Sequence, residues 1–335
     1  MGGKSRELDA DLLPQFDKQF VAIYNKVLKK NPKMHEMSVG AAREAYELAQ
    51  LAQGKPAKLK DVKDYTFRTE DGYKLTARVF TPLGDRPKEG WPTFVWYHGG
   101  GFVVGSINTD YTLCTKWAAN ANCIVISLDY RHAPEFVFPT AVDDAWAGFQ
   151  WVHSRADKLG LDPNKVAIGG CSAGGNLAAN VTHKIKESQL PPIVLQVLLV
   201  PSLDNSNGKQ KYGTVEKLYN TTGLEIKDMV WFGAKYFPNP EMREHVKASP
   251  IKHEDFIGLP PAFILVAEMD MLSGEAIAYH EKLQKNGIQS QLKVYEGCPH
   301  TFIGFYGFMR KAKEAVKDMT DSLSATFYPA KTSKL

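Results

Sequence analysis

The run Ala167-Ile168-Gly169-Gly170-Cys171-Ser172-Ala173-Gly174-Gly175-Asn176-Leu177-Ala178-Ala179 constrains this chain more than any other stretch. It reads as a short buried strand that turns abruptly into a helix, with one serine at the bend. Glycine at 170 and 174 fits such a turn, because neighbouring backbones approach too closely for a Cβ and strained dihedrals cost glycine least. The bend pushes the Ser172 hydroxyl out of the sheet and makes it a candidate nucleophile. G-x-S-x-G also arises by accident in long sequences, so the motif needs support elsewhere.

Support lies upstream. Trp91-Pro92-Thr93-Phe94-Val95-Trp96-Tyr97 is an apolar, aromatic and β-branched run, and it ends in His98-Gly99-Gly100-Gly101-Phe102. Three glycines after a strand make either a flexible turn or a loop whose N–H groups face one point, free of obstructing side chains. The second is what an attack on a carbonyl needs for the developing oxyanion. H-G-G-G followed by G-x-S-x-G is far more specific than either piece alone.

A serine nucleophile needs a base, and the base needs an orienting carboxylate. Phe263-Ile264-Leu265-Val266-Ala267 predicts a buried strand, followed by Glu268-Met269-Asp270-Met271-Leu272 and a helix through Ala276, Tyr279, His280 and Leu283. The alternating run Gln291 to Tyr295 predicts another strand, with Glu296-Gly297-Cys298-Pro299-His300-Thr301-Phe302 in the loop after it. His300 is the natural base. Asp270 is favoured as the acid because it lies deeper in the loop at a strand's C-terminal end, where sites in open α/β sheets collect; Glu268 competes with it.

The stretches His98-Gly99-Gly100-Gly101, Asp129-Tyr130-Arg131-His132-Ala133-Pro134-Glu135, Gly170 to Ala178, Asp270-Met271-Leu272 and His300-Thr301-Phe302 resemble the hormone-sensitive lipase family of α/β-hydrolases. The resemblance spans roughly residues 60 to 325, in the family's order. It implies an α/β-hydrolase fold, a mostly parallel central sheet flanked by helices with a helical cap. It further implies Ser172 as nucleophile, Asp270 and His300 as its partners, and the N–H groups of Gly100, Gly101 and Ala173 as oxyanion hole, with no cofactor and no metal. Three positions depart from the family pattern: Cys171 where Asp or Thr is usual, His132 where Leu is usual, and Asp270-Met271-Leu272 in place of D-P-L. None touches the triad itself.

Composition narrows the classes. A chain of 335 residues with 44% hydrophobic residues can bury one large core carrying a lid. The net charge of +4 comes from interspersed Lys, Arg, Asp and Glu, not from a basic stripe, so nucleic acid is not an expected partner. Cys114, Cys123, Cys171 and Cys298 lack metal spacing and are expected as free thiols. No secretory signal or membrane-spanning run is expected: Lys4 and Arg6 are followed by Glu7, Asp9 and Asp11, and Ile193 to Val200 is too short. Ser333-Lys334-Leu335 reads as a peroxisomal address that an import receptor would recognise, which places the protein in peroxisomes in a eukaryote and in the cytoplasm otherwise.

Along the chain, residues 1–58 are expected as N-terminal cap helices, 59–204 as the first part of the catalytic core, 205–250 as a cap insertion, 251–328 as the second part of the core, and 329–335 as an exposed tail. Leu8, Leu12, Phe16, Phe20, Ile23, Tyr24, Val27 and Leu28 fall on one face of a predicted helix over 8–30, and a second helix is predicted from Val39 to Gln53. Strands are predicted at 62–69 and 75–81 around an Asp71-Gly72 turn, into His98, at 123–128, at Val166 and at 193–200, with a helix over 140–159. A polar loop is expected at 205–211, and then aromatic helical material, Tyr219, Met229, Trp231, Phe232, Tyr236 and Phe237, serves the cap as packing or as an acyl pocket.

The leading functional expectation is a serine carboxylic-ester hydrolase working through an acyl-enzyme on a small or medium acyl ester. A lactone or acyl-CoA thioester hydrolase is the enzymatic alternative. A non-catalytic small-molecule receptor is a third, disfavoured because receptors resembling this family lack the catalytic histidine and this chain has His300.

Overall fold

Apolar runs too continuous for a half-solvated sheet form the middle of the structure. The computed structural model describes residue 8 and residues 10–218 and 221–329. The strands are β1 (Asp61–Arg68), β2 (Lys74–Thr81), β3 (Trp91–Tyr97), β4 (Ile124–Leu128), β5 (Leu161–Cys171), β6 (Leu195–Leu199), β7 (Ala262–Met269) and β8 (Ser290–Pro299). They form one sheet in the order β1-β2-β4-β3-β5-β6-β7-β8. β1 with β2 and β2 with β4 are antiparallel, and every later pairing is parallel. All residues of β3, β4 and β6 are buried, as expected for strands covered by helices on both faces, whereas β1 and β8 at the edges alternate and carry exposed residues. This is the α/β-hydrolase fold.

Parallel strands need crossover helices, and those cover both faces. Phe67, Val95, Ile126, Phe149, Ile168 and Leu177 belong to the core on one side, and Phe94, Trp96, Trp117, Val197, Leu265 and Met319 to the core on the other. The junction between β5 and the helix Ala173–Lys186 is crowded to backbone contact. A Cβ on Gly170 would lie inside contact distance of the Gly174 carbonyl, and one on Gly174 would strike the carbonyl oxygens of Tyr97 and His98. The glycines let β5, its helix and the end of β3 meet at backbone contact.

Several local expectations change. The apolar face over 8–30 is interrupted: only Lys18–Lys26 is α-helix, started by Asp17, whose carboxylate accepts from the Gln19 and Phe20 N–H groups. Three-residue 3₁₀ turns flank it at Leu13–Gln15, where Pro14 removes a donor, and at Leu28–Lys30. Phe20 and Tyr24 pack on the body beside Phe305, so this helix is buttress more than lid. The helix predicted over 140–159 breaks at Arg155 into Thr140–Ser154 and Ala156–Leu159, and Gly160 ends it at φ 69°. The strand at Val166 is longer than expected and the one at 193–200 shorter. The polar stretch expected as a loop begins buried, at Asn205 and Ser206, and then turns into a 3₁₀ helix over 207–212 in which Asn207, Gly208 and Lys211 are exposed.

Two distant segments that line one cavity, termed the lid, hold each other. His35 donates its backbone N–H to Asp228 at 3.1 Å and places Nδ1 2.8 Å from the same carboxylate, and Lys33 is ion-paired with Glu225. The helix Val39–Ala49 is tied to the body by Arg43, which donates to the carbonyls of Val103 at 2.9 Å and Ala133 at 3.0 Å and pairs with Glu135 at 2.6 Å. Ser333, Lys334, Leu335 and Tyr219 lie outside the described residues. No helix among the described residues is long and apolar enough to cross a membrane.

The crowding at the β5 junction sets a stability test. Gly174→Ala drives a methyl group into rigid backbone rather than a flexible side chain, and is expected to cost about 1–3 kcal/mol or more, the usual overpacking penalty. Gly40→Ala, where nothing lies within 4 Å of the added carbon, is the control. Urea midpoints of the two variants check the difference.

Candidate active site

Four strand ends converge here, all at the C-terminal edge of the parallel sheet. Ser172 follows β5, Gly99 to Gly101 follow β3, Asp270 follows β7 and His300 follows β8. Ser172 takes φ 54° and ψ −114°, a conformation that costs a non-glycine residue on the order of 1–3 kcal/mol. Its neighbours hold it there: Ser172 N–H donates to the Leu199 carbonyl at 2.9 Å, and its own carbonyl accepts from Ser202 N–H at 3.1 Å.

The structure brings together the serine, the histidine and Asp270. His300 Nε2 lies 2.9 Å from Ser172 Oγ, and His300 Nδ1 lies 2.6 Å from Asp270 Oδ2. With the Nδ1–H donated to the carboxylate, the Nε2 lone pair faces the hydroxyl. Asp270 is 1% exposed and its second oxygen accepts the Leu272 N–H at 3.0 Å, which holds the carboxylate in one orientation. Glu268 stands elsewhere. The β7–β8 register shifts between Ala267 and Met269, so Glu268 is exposed and accepts the Gly297 N–H at 2.7 Å, bracing the base of the His300 loop.

Gly100 and Gly101 line the same cavity as Ser172 and Ala173, at φ 125° and 58°. A Cβ on Gly100 would meet the Val104 carbonyl and one on Gly101 would enter the Phe232 ring, so both the turn and the lid demand glycine. Beneath this loop, His98 is fully buried and stacked on Tyr130, with its Nδ1 2.7 Å from the Gly99 carbonyl, and Tyr130 Oη donates to the His98 carbonyl at 2.9 Å. Burial pushes His98 down to about 4, so it is neutral at neutral pH. In the Asp129 to Glu135 stretch, Arg131 is a clamp: it pairs with Asp144 at 2.6 Å and with Asp71 at 2.7 Å.

The cavity measures about 460 Å³, and Met34, Met37, Met229, Phe232, Tyr236 and Ile303 give it apolar walls. Met229, Phe232, Tyr236 and Phe237 both line it and anchor the lid, as in the stack of Tyr236 on Phe102 at 4.1 Å. Sequence reading did not single out Tyr46, Gln53, Asp110 or Arg243, which also face this space, because each comes from a different segment and no motif marks it. Asp110 is 8% exposed, accepts from Trp96 Nε1 at 2.8 Å, and is pushed up to about 6 by burial. The Cys171 thiol lines the cavity too, with burial holding its pKa well above the usual thiol value.

Two groups among the described residues have the composition to hold a cation, each with donor atoms within 4.8 Å of one another: His98, Asp129 and His132 below the glycine loop, and His35, Glu225 and Asp228 in the lid. The second is the clasp that joins the two lid segments. Neither group contains Ser172 or His300.

Comparison with known proteins gives a consistent result. The family profile described as alpha/beta hydrolase fold matches residues 94–304. An AB hydrolase superfamily protein of Schizosaccharomyces pombe is 38% identical over 330 residues, 96% of each chain. Ethyl acetate hydrolase of Pseudomonas putida is 32% identical over 87% of this chain and 91% of its own. Among solved structures, an esterase of Pyrobaculum calidifontis superposes with a TM-score of 0.85 at 32% identity, covering 92% of this chain and 98% of that one.

Asp110 generates a pH prediction. A carboxyl raised by burial is penalised in the folded state once ionised. That penalty is absent below its unfolded value near 3.8 and grows as pH rises through about 6. Asp110→Asn removes the charge and keeps an oxygen for the Trp96 N–H. The variant is expected to gain on the parent by up to about 3 kcal/mol at pH 7.5, with the gain shrinking toward pH 4.5. Denaturant unfolding at both pH values checks it, and a pH-independent difference counts against the assignment.

Proposed function

The chain belongs to the α/β-hydrolase fold family, in its hormone-sensitive lipase-like group, and is a carboxylesterase-type hydrolase; on that footing we propose that it cleaves small or medium acyl esters through an acyl-enzyme on Ser172. The observation that carries this reading is the continuous hydrogen-bonded line from Asp270 through His300 to Ser172. His300 Nε2 takes the Ser172 proton as Oγ attacks the ester carbonyl. The oxygen that becomes negative is received by the N–H groups of Gly100, Gly101 and Ala173, which require no reorganisation because the loop and the helix start are already set. His300 then gives the proton to the departing alkoxide. Water, deprotonated by the same nitrogen, releases the acid and restores Ser172.

Asp270 keeps Nδ1 as the donor and stabilises the imidazolium that forms in each half-reaction. The cavity volume supports a small or medium acyl group, since it falls at the low end of the range for small-molecule sites. Apolar walls favour an uncharged hydrocarbon portion near the lid.

Ser172→Ala is expected to lower kcat on the order of a millionfold, and Asp270→Asn about ten thousandfold. Glu268→Gln is expected to act mildly and through stability, because its carboxylate braces the loop at the Gly297 N–H. Steady-state rates on nitrophenyl esters check the set, and a larger loss at Glu268 than at Asp270 reverses the choice of acid. The same proteins assayed on lactones and acyl-CoA thioesters show whether either replaces simple esters as the better substrate.

A further inference from the structure

Arg243 lies in the cavity wall without a counter-ion among the described residues. Four other arginines are matched with carboxylates: Arg43 with Glu135, Arg78 with Asp64, Arg131 with Asp144 and Asp71, Arg310 with Glu314. Arg243 lines the cavity, its Nε is buried without a partner, and its guanidinium has no hydrogen-bonding or carboxylate partner among the described residues. Adjacent Glu244 does not serve it, because that carboxylate accepts the Asn207 N–H and pairs with Lys252. Lys33 and Asp228, also in the wall, are satisfied by Glu225 and His35.

The surroundings hold the side chain in this position. Its Cζ lies 5.3 Å from the Phe237 ring centroid, in cation–π range. Gly233 leaves room for it in this position, since a Cβ there would lie inside contact distance of Nη2. Gly233 follows Phe232, whose ring covers Gly101, and Gly101, Phe232 and Arg243 line the same cavity. Burial lowers its pKa, and no carboxylate contributes in the other direction, yet a group that starts near 12.5 stays protonated at neutral pH. A half-buried cation without a counter-ion is costly unless a ligand supplies one.

We propose that Arg243 receives a carboxylate of the substrate, so that the preferred esters are carboxylate-bearing ones such as monoesters of dicarboxylic acids. The proposal rests on the esterase reading above. A planar guanidinium matches a carboxylate in two parallel N–H···O bonds. The cavity volume favours a short diacid monoester over a large phosphorylated carrier.

The test compares monoethyl succinate, glutarate and adipate with neutral ethyl esters of equal chain length, and with an acetoxy acid that carries the carboxylate on the alcohol side. The expected result is a preference of at least about tenfold in kcat/KM for one charged ester, located in KM and weakened by salt. Arg243→Met should lower the charged-to-neutral ratio about tenfold to a hundredfold, the loss of a hydrogen bond to a charged group, and Arg243→Lys should retain part of it. An unchanged ratio in a variant with parental Tm overturns the proposal. If Arg243→Met does not fold, absence of any charged-ester preference in the parent overturns it instead. Calorimetric binding of monoethyl glutarate to Ser172→Ala, with and without Arg243→Met, reads the contact without turnover. Failure to hydrolyse any ester would count against the esterase reading, whereas equal binding by the two proteins would count against Arg243.

Discussion

Backbone contact between the end of β3, the end of β5 and the first turn of the helix after Ser172 is the constraint on which the rest of the structure depends. Gly170, Gly174 and Gly175 lie where a Cβ would strike Gly174, Tyr97 or Pro201. Because these segments touch without side chains between them, Ser172 is lifted into a strained conformation above the sheet while the glycine loop after β3 is brought to its side. The strain is local and of the order of a few kcal/mol. The hydrogen bonds to Leu199 and Ser202, and the fully buried strands beneath, over-determine the conformation.

A parallel sheet supplies the second half of the geometry. Every parallel strand delivers its C-terminal loop to the same edge, so residues 128 positions apart in the chain, Ser172 and His300, meet at 2.9 Å. The register irregularity at the end of β7 then separates two carboxylates that are near neighbours in sequence. Asp270 is buried against His300, and Glu268 is turned out to the Gly297 amide.

The lid is held by ion pairs as well as by aromatic contacts with the body. Lys33 with Glu225 and His35 with Asp228 join its two segments, and Arg43 ties one of them to the loop after the glycines. Such partly exposed pairs each contribute modestly, but together they decide which residues of two distant segments face one cavity. That arrangement leaves Arg243 facing the substrate space with its guanidinium unmatched.

Strand runs, the glycine-flanked serine, the triple glycine and the order of acid before histidine are written in contiguous residues, because strand burial and backbone crowding act over a few positions; the fold and the convergent residues were therefore legible in the chain itself. Helix limits in the N-terminal region were less so, since Leu8 to Leu28 keep a helical spacing across Pro14 and the caps that divide it. Tertiary structure alone decided what meets across segments: that Asp270 and not Glu268 touches His300, that Asn205 and Ser206 are buried, and that Asp110 and Arg243 face the same cavity. Those outcomes depend on a register shift, on desolvation and on pairings between residues far apart in the chain, and no local spacing encodes them.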